Sequence, residues 1–150
     1  MSWSELEAAI VERLKDRLGA AVKQVYTTAE YGDLEESSQV TPSVAVIYQG
    51  YAPVSTPGAV YGARVQQVEK TYYVVVAVRN ARNTRTREGA REASAPIVEA
   101  VMSALTGWRL TDLPDEGPLQ LAPAPGAAFT DAGYAYYPIV FTNRRTYRGT

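Results

Sequence analysis

The sequence predicts an α+β domain with a mainly antiparallel sheet of four to five strands, packed by two helices and carrying one long β-hairpin. Two observations predict this class. Residues 3–18 and 86–106 place apolar side chains at the helical period. Residues 72–78 form an uncharged run rich in valine and tyrosine, which favours a buried strand. At 150 residues the chain is expected to form a single domain, 1–150.

Both predicted helices have recognisable ends. The helix over residues 3–18 starts with serine–glutamate pairs that match a capping box, and Gly19 is a natural stop after it. Since only one of its faces is apolar, this helix is expected to lie against a larger element. The helix over residues 86–106 ends before Gly107. Pro96 lies inside it, where proline either kinks a helix or begins its main part as a first-turn residue.

The strands are predicted over residues 22–28, 43–49, 64–78, 119–122 and 134–142. The second and third strands should pair antiparallel around residues 50–62, an uncharged connection rich in glycine and proline. The third and the final strand are apolar on both faces, and such strands need cover on both. Because two helices cover one face, we expect a neighbouring subunit or the long hairpin to cover the other.

Composition excludes several kinds of site. The chain has no cysteine, which excludes disulfides, thiol nucleophiles and cysteine-bound zinc. It has no histidine, which removes the commonest general base and transition-metal ligand. The sequence contains neither a phosphate-binding glycine loop nor a serine nucleophile motif. We therefore expect no enzyme activity, no catalytic residues, no cofactor and no metal.

The sequence also bears on where the protein is found. Its first residues lack the basic and apolar regions of a signal peptide. Its apolar runs are shorter than the ~20 residues that a membrane helix needs. We expect a soluble protein that is made in the cytosol. The net charge of −1 argues against a general polyanion binder, which would be strongly basic.

Charge is distributed unevenly along the chain. Residues 1–50 hold eight acids against four bases, whereas residues 51–100 hold seven bases against four acids. Such separation can steer association, including association between copies of one chain. The candidate contact residues belong to an arginine fan, an acidic loop and the long hairpin. They are Arg79, Arg82, Arg85, Arg87 and Arg91; Glu30, Asp33, Glu35 and Glu36; and Tyr51 and Tyr61.

The arginine fan, over residues 79–91, has three interpretations. It suits contact with an acidic protein surface, contact with nucleic-acid phosphates, or a solvated loop whose arginines pair with nearby glutamates. No aromatic residue lies among the arginines, which weakens the single-strand-binding interpretation. Together with the near-neutral net charge and the acidic loop elsewhere, the fan favours docking to another protein.

Two acidic stretches are candidates for a metal site or a catalytic site. The loop over residues 30–36 has the oxygen ligands that magnesium or calcium prefers, but its spacing does not match a calcium-binding loop. A solvated loop, or a contact with the arginine fan of an adjacent subunit, is favoured. Residues 112–116 contain carboxylates that suggest a catalytic pair. Nothing near them in sequence supplies a nucleophile, oxyanion donors or a metal cage.

The order of the elements resembles a known family. An amphipathic N-terminal helix leads into two strands joined by a long hairpin, followed by the arginine-rich loop. The second helix ends in the sequence LTGW (residues 105–108), and proline-rich connections precede a tyrosine-rich last strand. This layout, over nearly the whole chain, resembles the tail terminator proteins of tailed bacteriophages, especially the Mu-like family.

The resemblance implies a virion structural protein with a phage tail-terminator-like fold. Its subunits would form a hexameric ring that caps the tail tube, ends tail polymerisation and offers a surface for head–tail joining. The implied partners are further copies of the chain, the tail tube protein, head–tail connector or neck proteins and, in a contractile tail, the sheath protein. The ring would lie at the tail–head junction of the virion, after assembly in the host cytoplasm, with no membrane contact.

DNA would contact such a protein only as it passes through the lumen of the ring. Two alternatives stay open at this point. The chain could be a different neck or head–tail connector subunit, because location in the particle, and not sequence, distinguishes such a subunit from a terminator. It could also be a nucleic-acid-binding module that uses the loop over residues 79–91.

Overall fold

The computed structural model of the chain describes residues 4–54, 64–79 and 88–149, and these form three helices and six strands. The helices are α1 (Glu5–Leu18), α2 (Thr28–Gly32) and α3 (Glu88–Leu105). The strands are β1 (Gln24–Tyr26), β2 (Ser43–Pro53), β3 (Val65–Arg79), β4 (Gln120–Ala122), β5 (Ala128–Phe129) and β6 (Tyr134–Arg148). Two short 3₁₀ turns lie at Gly19–Ala21 and Glu36–Ser38.

The six strands form one sheet in the order β1-β2-β3-β6-β4, and β5 pairs with the edge of β6 that also carries β4. β1 runs parallel to β2, and all other pairs are antiparallel. A bulge in β2 lies between Tyr48 and Gly50, and the positive φ of 108° at Gly50 suits glycine. Beyond β1 and β4, three strands continue together at residues 50–53, 65–70 and 143–148. We call this part of the sheet the hairpin end.

The hydrophobic core lies between one face of the sheet and the helices α1 and α3. Side chains alternate along a strand, so every second residue of β2, β3 and β6 points into this core. The central core residues are Val44, Val46, Tyr72, Val74, Ile139 and Phe141 of the strands, with Leu6, Ile10, Leu14, Ile97, Val101 and Leu105 of the helices. The two helices are also joined directly, because Arg13 Nε donates to the Ala104 carbonyl oxygen at 2.6 Å.

The other side of the sheet has a different environment at each end. Near the start of β2, Tyr26 packs against Tyr31, and Gln39 Nε2 donates to the Tyr136 hydroxyl at 3.1 Å, so residues 28–40 cover this end. Farther along, this side of the sheet carries apolar residues, of which Val140 is buried and the others are half-buried. We call these residues, Ile47, Tyr73, Val75, Pro138 and Val140, the open face.

The predicted fold class is confirmed. The antiparallel pairing of the strands predicted over residues 43–49 and 64–78 is present, and it extends to Pro53. Both predicted helices are present, and α3 is continuous through Pro96 rather than starting there. The structure adds the short helix α2 and the two-residue strand β5. The face of the sheet away from α1 and α3 was expected to be covered by a neighbouring subunit or by the long hairpin. At one end of this face, residues 28–40 of the chain itself supply the cover.

The segment predicted as an acidic loop is partly helical, which corrects the sequence interpretation. Thr27 caps α2: its hydroxyl accepts from the Glu30 amide at 3.2 Å, while Glu30 Oε1 accepts from the Thr27 amide at 3.3 Å. This reciprocal capping ends the strand predicted over residues 22–28 at Tyr26. A helix of five residues is too short to show a periodic pattern, which is why the sequence did not reveal it.

The arginines predicted as a basic tail are part of β6, which is a second correction. The strand predicted to end at residue 142 continues to Arg148, because β3 pairs with it along its whole length. Arg144 and Arg148 are exposed, whereas Arg145 is buried. Because side chains alternate along a strand, the side chain of Arg145 lies on the opposite face of the sheet from those of Arg144 and Arg148.

Truncation of a core leucine should destabilise the protein far more than truncation of an exposed one. Leu14 is fully buried between the helices and the sheet, whereas Leu121 is 47% exposed. We expect Leu14→Ala to lower the free energy of unfolding by about 2–5 kcal/mol and Leu121→Ala by about 1 kcal/mol or less. Urea denaturation followed by circular dichroism measures both changes. Equal losses would contradict the assigned position of the core.

Candidate functional site

Four of the predicted contact residues, Arg82, Arg85, Arg87 and Tyr61, lie outside the described residues. The others lie in several places on the molecule. Arg79 and Glu36 lie together at the end of the sheet where β2 begins, whereas Tyr51 lies at the hairpin end. The predicted contact residues therefore do not form one surface.

Arg79 is exposed at the last position of β3, and contacts hold its side chain in place. Its guanidinium carbon lies 5.1 Å from the centre of the Tyr134 ring, and its Nε donates to the Ala132 carbonyl oxygen at 3.4 Å. A guanidinium stacked on an aromatic face loses less conformational freedom when it binds a partner. Arg79 is therefore a prepositioned cation at the start of the arginine-rich loop.

One of the acidic residues, Glu36, lies beside this arginine. Glu36 accepts a hydrogen bond from the Thr130 hydroxyl at 2.8 Å, which attaches the 3₁₀ turn to the β5–β6 connection. Glu36, Ser37, Arg79, Ala132 and Tyr134 line a groove of about 280 Å³. One groove of one subunit thus carries both a carboxylate and a guanidinium. Asp33 and Glu35 are exposed nearby in sequence, and Glu30 is engaged in the cap of α2.

Arg91 and Tyr51 occupy different settings. Arg91 is exposed in the first turns of α3, close in sequence to the arginine-rich loop. Tyr51 is 61% exposed and pairs with Lys70 across β2 and β3. Aromatic residues with this exposure are enriched at protein interfaces. Tyr51 therefore marks the hairpin end as a second candidate contact region.

A buried ionic cluster lies at the hairpin end, on the face that carries the core. Glu116 is 1% exposed, and its Oε1 accepts from Lys70 Nζ at 2.6 Å and from Arg145 Nη1 at 3.2 Å. Its Oε2 accepts from Asn143 Nδ2 at 2.5 Å. Lys70 is fully buried, so all its neighbours are protein atoms rather than bulk water. Glu116 is thus a shared hydrogen-bond acceptor for Lys70, Asn143 and Arg145.

Backbone contacts hold Glu116 in this position. The Gly117 amide donates to the Arg144 carbonyl oxygen at 2.7 Å, and the Thr146 amide donates to the Asp115 carbonyl oxygen at 3.1 Å. The segment before β4 is thereby attached to the edge of β6. A Cβ added at Gly117 would lie 2.9 Å from that Arg144 oxygen, so glycine permits the close approach. These backbone contacts fix the Glu116 carboxylate against side chains of both β3 and β6.

The cluster joins β3, β6 and the segment before β4 through one carboxylate. Burial lowers the pKa of Lys70, and the hydrogen bond and charge of Glu116 act in the opposite direction by favouring the cation. The carboxylate accepts hydrogen bonds from three side chains. Among the described residues no group of three acidic, histidine or cysteine side chains could hold a metal ion. Residues 112–116 therefore act as a clasp that fixes the hairpin end.

Sequence reasoning missed this cluster. In the sequence Glu116 belongs to the acidic stretch 112–116, and Lys70 lies within the strand predicted over residues 64–78. One signal was available, since Lys70 precedes an apolar run and falls in phase with Tyr72 and Val74. A charged residue in phase with a buried face requires a buried partner. The sequence alone could not identify that partner, because it lies 46 residues away.

No helix of the described residues has the length and apolar character needed to cross a membrane.

Comparison with known proteins adds a family and a fold. A family model described as "Phage tail terminator protein" matches residues 6–149 of the chain. A chain in the solved structure "Virion of native gene transfer agent (GTA) particle" superposes with a TM-score of 0.50 at 16% sequence identity, and 94% of each chain is covered. At this identity the likeness concerns the fold alone. No curated protein sequence matches the chain.

Removal of the Glu116 charge should destabilise the fold strongly. Glu116→Gln keeps the side-chain shape but removes the negative charge that Lys70 and Arg145 contact. We expect the free energy of unfolding to fall by about 3–5 kcal/mol. Asp112→Asn, an exposed carboxylate on the same segment, is the matched control and should change it by about 0.5 kcal/mol or less. Chemical denaturation of both variants tests this, and similar losses would contradict a special role of Glu116.

Stability should decrease at alkaline pH. Burial raises the pKa of the Tyr136 hydroxyl to about 12, above the ordinary value of 10.0. The folded state therefore keeps a proton that the unfolded state releases, so this stabilisation is complete below about pH 10 and is lost as pH rises towards 12. Burial also raises the pKa of Tyr72, which acts in the same direction. Urea denaturation across this range should show a smaller decrease for Tyr136→Phe than for the unmodified chain. An identical decrease would contradict the assignment.

Proposed function

The chain belongs to the phage tail terminator family, and from this membership we propose that it forms a ring that caps the completed tail tube. The family consists of structural proteins of the phage tail rather than enzymes, so the role of the chain in the tail is structural. In our proposal the ring stops polymerisation of the tube and provides the surface to which the head is joined. The family match over residues 6–149 is the observation that carries this proposal.

Features of the molecule support the proposal. The described residues carry side chains suited to binding, since Arg79 is prepositioned and Tyr51 is 61% exposed. The open face and the groove beside Arg79 are two separate regions of the kind that a subunit of an assembly needs. The buried clasp at the hairpin end makes that region rigid, which lowers the entropic cost of docking.

We further propose that the groove end of the subunit contacts either the neighbouring subunit or the tail tube. Arg79 supplies a prepositioned guanidinium, and Glu36 supplies a carboxylate beside it. A surface that carries a positive and a negative charge side by side favours a partner whose charges are arranged in the complementary way, and it disfavours partners that place like charges together. Arg91 and the arginines of the preceding loop would extend the same contact.

An assembly experiment tests the proposed function. The purified chain should form a closed ring, which light scattering measures as a defined multiple of its mass and electron microscopy shows as an annulus. When it is added to growing tail tubes, the tubes should become shorter and carry the ring at one end. Arg79→Glu should raise the protein concentration that is needed to shorten the tubes to the same extent by about tenfold.

The matched control for Arg79→Glu is Arg17→Glu, an equally exposed arginine on α1. Arg17→Glu should shorten the tubes at the same concentration as the unmodified chain, because α1 lies in the helix layer whereas Arg79 lies in the sheet. A chain that stays monomeric at all concentrations, and that leaves tube length unchanged, would refute the proposed function.

A further inference from the structure

We infer that, in the proposed ring, an exposed proline-rich segment at the β4 edge of one subunit docks on exposed tyrosine side chains at the hairpin end of the next subunit. This inference rests on the proposed function, because it requires several copies of the chain in one assembly. The partner of each surface is therefore a second copy of this chain. The contact is apolar, and neither surface contributes a charge to it.

The first surface is the end of β4 and the segment that follows it. Residues 117–130 carry no charge, and residues 123–128 are exposed at every position. Leu121, just before this stretch, is 47% exposed. A continuous exposed stretch of apolar residues is typical of a surface that binds another protein. We call residues 121–125, which read LAPAP, the proline segment.

The proline segment is held in an extended form by its own sequence. Pro123 and Pro125 each have a fixed φ, and each restricts the alanine before it to extended conformations. An extended segment that is already ordered loses less conformational entropy when it binds. Extended segments of this kind bind surfaces that are lined by aromatic side chains. The proline segment therefore calls for an aromatic surface on its partner.

The backbone of Leu121 is also available to a partner. In an antiparallel pair the backbone groups of every second residue point away from the neighbouring strand. Leu119 points away from β6, since its carbonyl oxygen accepts from the Gly107 amide at 2.8 Å and its amide donates to the Trp108 carbonyl oxygen at 2.9 Å. Leu121, two residues later, points the same way, and no described residue forms a hydrogen bond with its amide or carbonyl oxygen.

The second surface lies at the hairpin end, on the side of β2. Tyr51 is 61% exposed, more than any other large hydrophobic side chain of the described residues. Because side chains alternate along paired strands, Tyr51 lies on the same face as Pro53, Val68 and Tyr147. Pro53 is exposed, and Val68 and Tyr147 are half-buried. We call these four residues the tyrosine patch.

The two surfaces match in chemistry. The tyrosine patch offers aromatic rings to the proline segment, and neither set contains a charged residue. Their contact therefore buries apolar surface without leaving a charge unpaired. The cations on the same face of the hairpin end, Lys70 and Arg145, are buried and bonded to Glu116, so the contact does not involve them.

The two surfaces lie at opposite edges of the sheet. The strand order places β4 at one edge, and β1 pairs with β2 only as far as Ala45, so β2 is the outer strand of the described chain at the hairpin end. A contact between two different surfaces is heterologous, and such contacts form a closed ring when the rotation between subunits divides the circle. The inferred contact is therefore compatible with a ring.

Cysteine cross-linking tests the contact directly, because the chain contains no cysteine of its own. Ala124→Cys places a thiol in the proline segment, and Gln66→Cys places one opposite Tyr147, beside the tyrosine patch. Under mild oxidation the double variant should form disulfide-linked multiples up to the full ring, whereas each single variant should stay uncross-linked. Ala124→Cys combined with Ala8→Cys, at an exposed position of α1, is the control and should give no multiples.

Loss of the aromatic ring provides a second test that does not depend on thiol geometry. Tyr51→Ser should raise the concentration needed for half-maximal assembly by about tenfold, because buried tyrosines contribute strongly to protein contacts. Met102→Ser, which changes an exposed apolar residue of α3, is the matched control and should leave this concentration unchanged. Light scattering measures assembly, and circular dichroism verifies that each variant keeps the fold.

The outcomes separate this inference from the proposed function. If the unmodified chain forms rings, the absence of a cross-link between positions 66 and 124, or unchanged assembly of Tyr51→Ser, shows that the inferred contact is wrong while the ring proposal stands. Cross-linking of Ala124→Cys with itself would indicate a symmetric contact and would also overturn the inference. If the chain does not assemble at all, both fail.

Discussion

The antiparallel ladder between β3 and β6 pairs all fifteen residues of each strand, from Val65 opposite Arg148 to Arg79 opposite Tyr134. Everything else in the molecule is arranged around this ladder. Because side chains alternate along it, one set of residues enters the core under α1 and α3 and the other set forms the open face. Its length also carries the sheet past the helices, and this extension creates the hairpin end.

Extension of the ladder has an electrostatic consequence. At the hairpin end the core-facing positions are Lys70, Asn143 and Arg145 instead of aliphatic residues, and burying these cations is unfavourable without a counter-charge. Glu116 supplies that charge from the segment before β4, and the contact of Gly117 with Arg144 positions it. A segment without regular structure is thus fixed by the Glu116 carboxylate together with the backbone contacts of Asp115 and Gly117 to β6.

The family assignment and the structure support each other through different observations. The resemblance to tail terminators noted in the sequence is confirmed by the family match over residues 6–149. The structural likeness to a chain of a gene transfer agent virion extends over 94% of both chains and establishes a shared fold. Neither comparison identifies contact residues. Those are proposed here from charge, exposure and strand direction.

The sequence by itself determined the α+β class, the two main helices and the pairing of β2 with β3, because these depend on local period and composition. It also indicated that the strands are apolar on both faces. Only the tertiary structure decided that Lys70 and Arg145 share Glu116, that Arg79 and Glu36 line one groove, and that β6 continues to Arg148. These features join residues far apart in the chain, and their free energy comes from burial and charge pairing that exist only once the strands are aligned. A local pattern contains no information about such partners.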